Sequence, residues 1–572
     1  MGLAGQSFAK PEPGYGCSFS PGEKVRLRAG VKIIPFPPFV VADDEDVIGL
    51  ATPTLHHPVS SLALRRAFFV MSGTMNLATA FAASVEKRPD KIALYWGDRE
   101  FSYATLSAQS GAVASVLTGK FGVKPGDRVA LWLKNRTEYI PAVFGILGAG
   151  AVLVPINNFL KPDEVNYILK DGSIDVLITE EELAVQAPLL LAARPQLRIF
   201  KVEEFTGLGS TESRPAGSEI ANCERREQDL AVIIYTSGTT GRPKGAMLSH
   251  GNLLHNVESC RLVLETVDQD RMAVLLPLFH SYMLTVGVFL PLLVGGTMVL
   301  VKSLNQPRQI LQELCARQAT ILPAIPPFYR TLAGSPLPVK LPFRLCISGS
   351  APLPVQVLKD FEAKFGIPLI EGYGLSEASP VVSKNPIHGV RKPGSIGLPI
   401  PNVEVSVQDD SGKMLGAGGI GEICVRGGNV MLGYWNNPEE TAKAFRNGWL
   451  LTGDIGYRDA DGYYYITDRK KDMLLVNGNN VYPREIEEVI YQFPGIKETA
   501  VIGVPDARKG EQPVAFVTMA EGQTVEEKAL LQFVRGKLAD YKVPKKVVFL
   551  PALPRNATGK ILKTALRQQP PV

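Results

Sequence analysis

A run of glycines and hydroxylated residues follows directly on an apolar, strand-like segment, Ala231–Tyr235, near the middle of the chain. The run reads Thr236-Ser237-Gly238-Thr239-Thr240-Gly241-Arg242-Pro243-Lys244-Gly245. Glycines let a backbone approach a phosphate closely, hydroxyls donate hydrogen bonds to its oxygens, and Lys244 supplies a positive charge. The segment therefore predicts a loop that binds a polyphosphate at the end of a strand.

This loop differs from the usual P-loop. There a Ser or Thr follows the lysine and a helix begins, whereas here Gly245 follows Lys244. Pro243 also disfavours helical backbone at Arg242. We therefore interpret the loop as a mobile lid over the β- and γ-phosphates.

Strand-like and helical segments alternate in the first half of the chain. The strand-like runs are Arg128–Leu133, Ala151–Pro155 and Val176–Thr179, and the helical ones are Tyr139–Leu147 and Glu164–Lys170. Such alternation favours an α/β fold in which helices cover parallel sheets. After the Gly-rich stretch 416–428 the strands are short, which predicts a smaller and more antiparallel sheet.

Two positions indicate domain boundaries. Residues 1–70 are rich in Pro and Gly and show no sustained hydrophobic period, so we expect a poorly ordered extension, with a start near Met71 or Met75 as the alternative. A dense charge run at Asp468–Lys471 separates a large domain, 71–468, from a small C-terminal domain, 469–572.

The charge balance and the cysteines exclude some classes of protein. The 61 Lys and Arg residues exceed the 56 Asp and Glu residues by only five, and no sustained basic run occurs, so we predict no nucleic-acid partner. The six cysteines form no CxxC pair, which indicates neither a zinc site nor a disulfide framework. A reducing compartment, the cytoplasm, fits this pattern.

One uncharged window, Met283–Val301, is long enough to be considered as a membrane span. Pro291 and Gly295-Gly296 interrupt it, so we predict a buried helix, a turn and a buried strand, Thr297–Val301. We expect no transmembrane span, while peripheral membrane contact and the oligomeric state are left open.

The segment Tyr235–Gly245 resembles the signature loop of the adenylate-forming superfamily, which includes acyl-CoA synthetases, peptide-synthetase adenylation domains and luciferases. Further family motifs follow in the family's order within residues 77–565: Ser348–Pro352, Glu371–Glu377, Thr452–Asp454, Asp468–Asp472, Asn477–Pro483 and Pro554–Lys560. The resemblance implies a large domain of helix-covered parallel sheets with a small distorted β-barrel, followed by a small, mobile α+β C-terminal domain.

The resemblance also assigns roles at the nucleotide site. Tyr373 is the stacking surface for adenine, Glu377 is a magnesium ligand, and Asp454 accepts hydrogen bonds from the ribose hydroxyls. Arg469 contacts the nucleotide, and Ser376 stands where many members have Thr, so a hydroxyl is kept. The other expected ATP- and AMP-binding residues are Thr236, Ser237, Gly238, Thr239, Thr240, Gly241, Lys244, Gly349, Ser350, Ala351, Glu371, Gly372 and Gly374.

Three motifs lie toward the C-terminus. Lys560 is the lysine that stabilises charge on the carboxylate and the α-phosphate during adenylation. Lys471 is the pivot about which the small domain turns. After that rotation, Gly478 and Asn479 line the tunnel for the pantetheine arm of CoA.

The stretch around His280 bears on the acid. Peptide-synthetase adenylation domains usually have an Asp here to meet the substrate ammonium, and an unpaired ammonium is costly to bury, so amino acids are disfavoured. In acyl-CoA synthetases the matching residue gates the acid against the CoA tunnel. Tyr282, Met283 and Gly287 follow in an apolar run and are the expected acyl pocket.

The resemblance to bacterial fatty acid ligases favours a medium- or long-chain fatty acid, with aryl acids as the alternative. The implied reaction uses ATP, Mg²⁺ and CoA, and passes through an acyl-AMP with release of pyrophosphate. Twelve residues follow Lys560 in the 572-residue sequence, so we expect free CoA rather than an attached carrier domain.

Two alternative functions are left open. One is an acyl-AMP ligase that serves a separate carrier protein, although no long insertion precedes Asp468. The other is a catalytically silent adenylate-binding protein. The loss of Lys560, Glu377 or Asp454 would favour it, and all three are present.

Overall fold

The computed structural model describes residues 75–205, 224–237, 242–302, 307–335, 340–506, 508–555 and 560–568. Four of the expected nucleotide-binding residues, Gly238, Thr239, Thr240 and Gly241, lie outside the described residues, as does the extension 1–70. Of Ser237 only the backbone is described.

The strands within these ranges, in chain order, are β1 Ile92–Trp96, β2 Arg99–Ser102, β3 Arg128–Trp132, β4 Val152–Pro155, β5 Val176–Thr179, β6 Arg198–Lys201, β7 Leu230–Ser237, β8 Pro243–Ser249, β9 Arg271–Val274, β10 Thr297–Leu300, β11 Ile321–Ala324, β12 Leu345–Ser348, β13 Leu369–Gly374, β14 Val381–Lys384, β15 Leu398–Pro399, β16 Val403–Gln408, β17 Gly421–Gly427, β18 Gly433–Tyr434, β19 Phe445–Arg446, β20 Trp449–Arg458, β21 Tyr464–Arg469, β22 Leu474–Val476, β23 Asn479–Val481, β24 Ile496–Asp506, β25 Gly510–Met519 and β26 Lys546–Phe549.

The α-helices are α1 Leu77–Lys87, α2 Tyr103–Gly119, α3 Tyr139–Gly148, α4 Pro162–Asp171, α5 Glu181–Ala184, α6 Ala187–Ala193, α7 His250–Leu264, α8 Leu290–Val294, α9 Pro307–Ala316, α10 Pro326–Gly334, α11 Val355–Phe365, α12 Pro438–Ala444, α13 Pro483–Ile490, α14 Glu527–Arg535 and α15 Lys563–Arg567. Short 3₁₀ helices cover Val202–Phe205, Ser376–Ala378 and Asp540–Lys542, and Met283–Phe289 is a π-helix.

The first sheet contains the predicted polyphosphate loop. Its strands lie in the order β18-β8-β7-β4-β3-β5-β6, and β3 pairs in parallel with both β4 and β5. Strands β7 and β8 pair antiparallel over Leu230–Ser249. The polyphosphate loop therefore joins two strands of a hairpin.

The second sheet runs in the order β15-β14-β13-β12-β11-β9-β10-β1-β2. Strands β9 to β13 are parallel to their neighbours within this range. One hydrophobic core joins the two sheets, since it includes Leu131 of β3, Val274 of β9 and Phe144 of α3. Helix α3 is buried along its whole length, which is typical of a helix enclosed on all sides.

The window Met283–Val301 folds as predicted. The π-helix and α8 are buried, Gly295 turns the chain with a φ of +89°, and β10 enters the second sheet in parallel with β1 and β9. In the part of the chain that the structure describes, no helix is long and apolar enough to cross a membrane.

The chain changes sheets at the predicted charge run. Strands β16, β17, β19, β20 and β21 form an antiparallel sheet that ends at Arg469, and β22, which begins at Leu474, opens a last sheet with β23 to β26. Helices α13, α14 and α15 belong to this last part. The α/β fold class is thus confirmed, with parallel sheets, a smaller antiparallel sheet and a small C-terminal part, while the boundaries at residues 70 and 468 stay predictions.

Candidate active site

Two adjacent parallel strands bring two of the predicted loops together. Strands β12 and β13 pair with Ser348 opposite Glu371, so Gly349–Ala351 leave β12 beside the last residues of β13, Gly372–Gly374, which pair with β14. Ligands of open α/β sheets bind at the carboxyl ends of the strands. Ser350 has a φ of +66°, which bends its loop sharply away from the strand.

Asp454 lies at the centre of the nucleotide site. Its carboxylate is buried, with 3% of the side chain exposed. Oδ2 accepts a hydrogen bond of 2.6 Å from the Tyr373 hydroxyl, and Oδ1 lies 2.8 Å from Nε of Arg469, its cross-strand neighbour between β20 and β21. A carboxylate oxygen can accept more than one hydrogen bond, so both oxygens can still serve ribose hydroxyls.

Lys560 joins this group from the far end of the chain. Burial and the nearby charges of Arg469 and Lys471 lower the pKa of Lys560 to about 8, while Asp454 partly opposes the shift. Its ammonium lies among these charges. The structure thereby brings together Lys560, Asp454 and Arg469, which the sequence places up to about a hundred residues apart.

His280 lies near this group. Its Nδ1 accepts a hydrogen bond of 3.2 Å from the backbone N–H of Tyr282. Burial, and then the charge of Lys560, lowers the pKa of His280 to about 4. The imidazole is therefore neutral at pH 7, so that Lys560 rather than His280 is the cation of this pair.

The pKa of Lys560 gives a testable pH dependence. Because the pKa is lowered to about 8, the charged ammonium is present below that pH and is lost as pH rises through it. We expect kcat/KM for acyl-AMP formation to fall above about pH 8, since this parameter reports groups of the free enzyme. The measurement is the pH profile of pyrophosphate release between pH 6 and 10. A profile that stays level to pH 9.5 would contradict the assignment, and Lys560→Ala should lack this limb.

Glu377 occupies the predicted metal position. Its Oε1 accepts hydrogen bonds from the Tyr434 hydroxyl at 2.9 Å and from Thr236 Oγ1 at 3.4 Å. Among the described residues, its Oε2 has no hydrogen-bond partner. Thr236 is the second-last residue of β7, where the polyphosphate run begins, so the carboxylate lies beside the start of that run.

The donor set fits a Mg²⁺ ion that is shared with ATP. Across the described residues no group of three or more His, Cys, Asp or Glu side chains could hold a metal by itself. Magnesium is usually bound by one or two carboxylates together with substrate phosphates, and a single carboxylate with one uncommitted oxygen meets that need. Glu377 is the residue that would hold the ion.

Lys244 has a protein partner in this structure. Its ammonium contacts the carboxylate of Glu440 on α12 and lies 5.3 Å from the ring centre of Tyr434. Both side chains of the ion pair are largely buried, with exposed fractions of 10% and 18%. The cation expected at the phosphates is thus paired with a carboxylate.

Ser376 and the loop Gly349–Ala351 connect the nucleotide motifs to the acid side of the site. The hydroxyls of Ser376 and Ser281 lie 2.9 Å apart. A Cβ on Gly349 would lie 3.1 Å from the Tyr282 ring, so a glycine is needed for this close packing. The Ser that replaces Thr at position 376 therefore keeps a hydrogen bond, here to the residue beside His280.

Glu371 is buried and has an unusual environment. One carboxylate oxygen accepts from the Leu353 N–H at 3.1 Å and lies 4.0 Å from Arg484, while the other oxygen has no partner in the described residues. Burial raises the pKa of Glu371 to about 7. The carboxylate borders a cavity of about 190 Å³ with Asn385 and Arg391. Its contact with the nucleotide stays a prediction.

Tyr282, Met283 and Gly287 are buried in the predicted acyl region. Tyr282 donates a long hydrogen bond of 3.4 Å to the Ile347 carbonyl. A Cβ at Gly287 would overlap the sulfur of Met283, so these two residues share one narrow space. A π-helix is rare and often marks a functional site. Pocket walls and core residues are both buried, so the acyl role stays a prediction.

The remaining predicted residues lie further out. Lys471 is exposed in the turn between β21 and β22. Gly478 and Asn479 are exposed at the β22–β23 hairpin, where Asn477 N–H donates to the Lys509 carbonyl at 2.8 Å. The hinge and tunnel roles that the resemblance gives these residues stay predictions.

Sequence reasoning missed four residues that touch the site: Tyr434, Glu440, Ser281 and Arg484. Tyr434 and Glu440 follow the Gly-rich stretch and belong to no motif that we recognised. Their partners lie 57 and 196 residues away along the chain. Only the pairing of β18 with β8, which places Tyr434 beside Ala246, brings them to the site.

Two protein-family models match this chain. The family model described as AMP-binding enzyme matches residues 81–435, and that described as AMP-binding enzyme C-terminal domain matches residues 485–560.

Three similar proteins illustrate the range of relatives. A long-chain-fatty-acid–CoA ligase of Bacillus subtilis is 36% identical over 86% of this chain and 94% of its own length. A feruloyl-CoA synthase of Amycolatopsis is 37% identical over 84% of this chain and 96% of its own. The crystal structure of ATP-bound MatB from Rhodopseudomonas palustris matches with a TM-score of 0.80 and 37% identity, over 86% of this chain and 99% of that one.

Proposed function

The chain belongs to the AMP-binding enzyme family and is an AMP-forming acid–thiol ligase, and from that premise we propose that its acid is a medium- or long-chain fatty acid and its thiol that of free CoA. One observation carries the chemistry: Lys560, Asp454, Arg469 and His280 meet in a single cleft. A nucleotide held at Asp454 thus has the cation of Lys560 and the acid gate of His280 beside it.

In the first step an oxygen of the fatty acid carboxylate attacks the α-phosphorus of ATP. The bond between the α- and β-phosphates breaks, and pyrophosphate leaves. The hydrogen-bonded pair of Asp454 and Tyr373 orients the ribose and the base, and Lys560 and Arg469 offset the negative charge that gathers on the α-phosphate. Mg²⁺, held by Glu377, supplies charge screening at the phosphates when it is bound.

In the second step the CoA sulfur attacks the acyl carbon of the acyl-AMP. The thiol loses its proton, the carbon–oxygen bond to the phosphate breaks, and AMP leaves. The two steps need different groups near one carbonyl, which favours a small domain that changes position between them. We propose that Lys471 is the pivot and that Gly478 and Asn479 then line the CoA tunnel.

The apolar surroundings of Tyr282, Met283 and Gly287, together with the long-chain relatives, support a fatty acid. No carboxylate follows Phe279 to pair with a substrate ammonium, because the next residue is the neutral His280. The feruloyl-CoA synthase relative supports an aryl acid as the second candidate.

An acid series tests the choice between these candidates. We expect CoA-dependent turnover to increase severalfold per added carbon until the pocket is full, since each buried CH₂ contributes about 0.8 kcal/mol. Benzoates should be weaker, and free amino acids should give essentially no turnover because their ammonium stays unpaired. The measurement is kcat/KM for straight-chain acids, benzoates and amino acids, with and without CoA. A maximum on an aromatic acid would overturn the fatty acid proposal and leave the adenylation chemistry in place.

The variant Gly287→Leu sharpens this test. The added side chain must displace Met283, whose flexible thioether can move into the neighbouring space. If that space is the acyl pocket, the preferred chain length becomes shorter. An unchanged chain-length optimum in a folded variant would place the pocket elsewhere.

A further inference from the structure

The ion pair of Lys244 with Glu440 has properties that bear on ATP binding. The pair is largely shielded from solvent, and the ring of Tyr434 flanks the ammonium at 5.3 Å. Such a pair is stronger than an exposed one, because screening by water is reduced. Glu440 is therefore a strong competitor for any other anion that approaches Lys244.

The backbone around Lys244 is fixed on both sides. The Trp435 N–H donates to the Gly245 carbonyl at 2.7 Å, and the Tyr167 hydroxyl donates to the Pro243 carbonyl at 3.2 Å. Strand β18 also pairs with β8 at Ala246. An exchange of partners at Lys244 thus requires a rotation of its side chain and leaves the strand in place.

Glu440 has a second cation. Lys443, one turn further along α12, donates to its Oε1 at 2.8 Å, and 69% of the Lys443 side chain is exposed. The two lysines, Lys244 first, hold the pKa of Glu440 at about 2, so the carboxylate is charged at neutral pH. When Lys244 turns away from Glu440, the carboxylate stays paired with Lys443, so the exchange does not leave a buried anion unpaired.

We propose that Glu440 competes with the β- and γ-phosphates of ATP for Lys244, and that this competition sets the affinity of the enzyme for the triphosphate. The inference rests on the proposed function, and on the predicted role of Lys244 as the cation at those phosphates. Binding of ATP replaces one anion at Lys244 by another. AMP has neither a β- nor a γ-phosphate, so its affinity does not depend on this exchange.

The test compares the dissociation constants of ATP and AMP in wild type, Glu440→Gln and Glu439→Gln. Glu439 is the matched control, because it is the preceding residue on the same helix and is exposed. In Glu440→Gln the dissociation constant of ATP should fall about three- to tenfold, which corresponds to about 0.7 to 1.4 kcal/mol. AMP affinity should be unchanged, and Glu439→Gln should bind both nucleotides as wild type does.

Equal changes for ATP and AMP in Glu440→Gln, or no change for either, would overturn the proposal. If Glu440→Gln unfolds, the variant Glu440→Asp, which keeps the charge, takes its place. Its affinity for ATP should lie between that of wild type and that of a site without the charge. An ATP affinity below that of wild type would contradict the competition. A wild-type protein that neither binds ATP nor releases pyrophosphate would refute the proposed function itself, whereas normal turnover with an unaltered ATP affinity in Glu440→Gln refutes this inference alone.

Discussion

Replacing Lys560 by Ala is expected to lower the rate of acyl-AMP formation by about 10²-fold or more. The ammonium lies among Asp454, Arg469 and His280, where we propose that the carboxylate attacks the α-phosphate. Thioester formation from supplied acyl-AMP should stay close to the wild-type rate, because that step needs no cation for pyrophosphate departure. The measurement is single-turnover pyrophosphate release, set against CoA-dependent consumption of synthetic acyl-AMP.

A matched control separates the site from the general loss of a lysine. Lys528 is exposed on α14 in the same C-terminal part of the chain, and Lys528→Ala should leave both half-reactions unchanged. Equal loss of both half-reactions in Lys560→Ala would show that Lys560 acts outside the adenylation step.

Replacing Asp454 by Ala is expected to weaken AMP binding by at least about 10²-fold. The ribose hydroxyls lose two hydrogen bonds to a charged group, each of which contributes about 1.5–3 kcal/mol. Tyr373 and Arg469 also lose the acceptor that holds them in place. The measurement is the dissociation constant of AMP by calorimetry, together with the midpoint of thermal unfolding to confirm that the variant is folded.

Asp461 offers the control for this variant. It lies in the turn between β20 and β21, and 73% of its side chain is exposed. Asp461→Ala should bind AMP as wild type does. An AMP affinity within threefold of wild type in folded Asp454→Ala would mean that the ribose is held by other residues.

Local patterns predicted a large part of the fold. The alternation of strand-like and helical segments from Arg128 to Thr179 corresponds to β3, α3, β4, α4 and β5, with differences of at most two residues at the ends. Pro243, which disfavours helical backbone at Arg242, is the first residue of β8. These signals are local, because they depend on backbone preference and on burial of one face.

Contacts between distant segments could not be predicted from the sequence. Nothing local in Tyr434 or Glu440 indicates that they touch Glu377 and Lys244, because the pairing of β18 with β8 creates both contacts. The neutral state of His280 depends likewise on burial and on Lys560, which approaches from the end of the chain. Motif order predicted which residues gather at the site, whereas their partners and charges required the three-dimensional structure.

Isotope transfer tests the central claim, the acyl-AMP intermediate, most directly. A fatty acid labelled with ¹⁸O in both carboxylate oxygens is incubated with ATP, Mg²⁺, CoA and the enzyme, and the AMP and acyl-CoA products are analysed by mass spectrometry. Attack of the carboxylate on the α-phosphorus, followed by thiolysis at the acyl carbon, leaves one ¹⁸O in AMP and one in acyl-CoA. Unlabelled AMP, or ¹⁸O in inorganic phosphate with ADP as the product, would contradict the account.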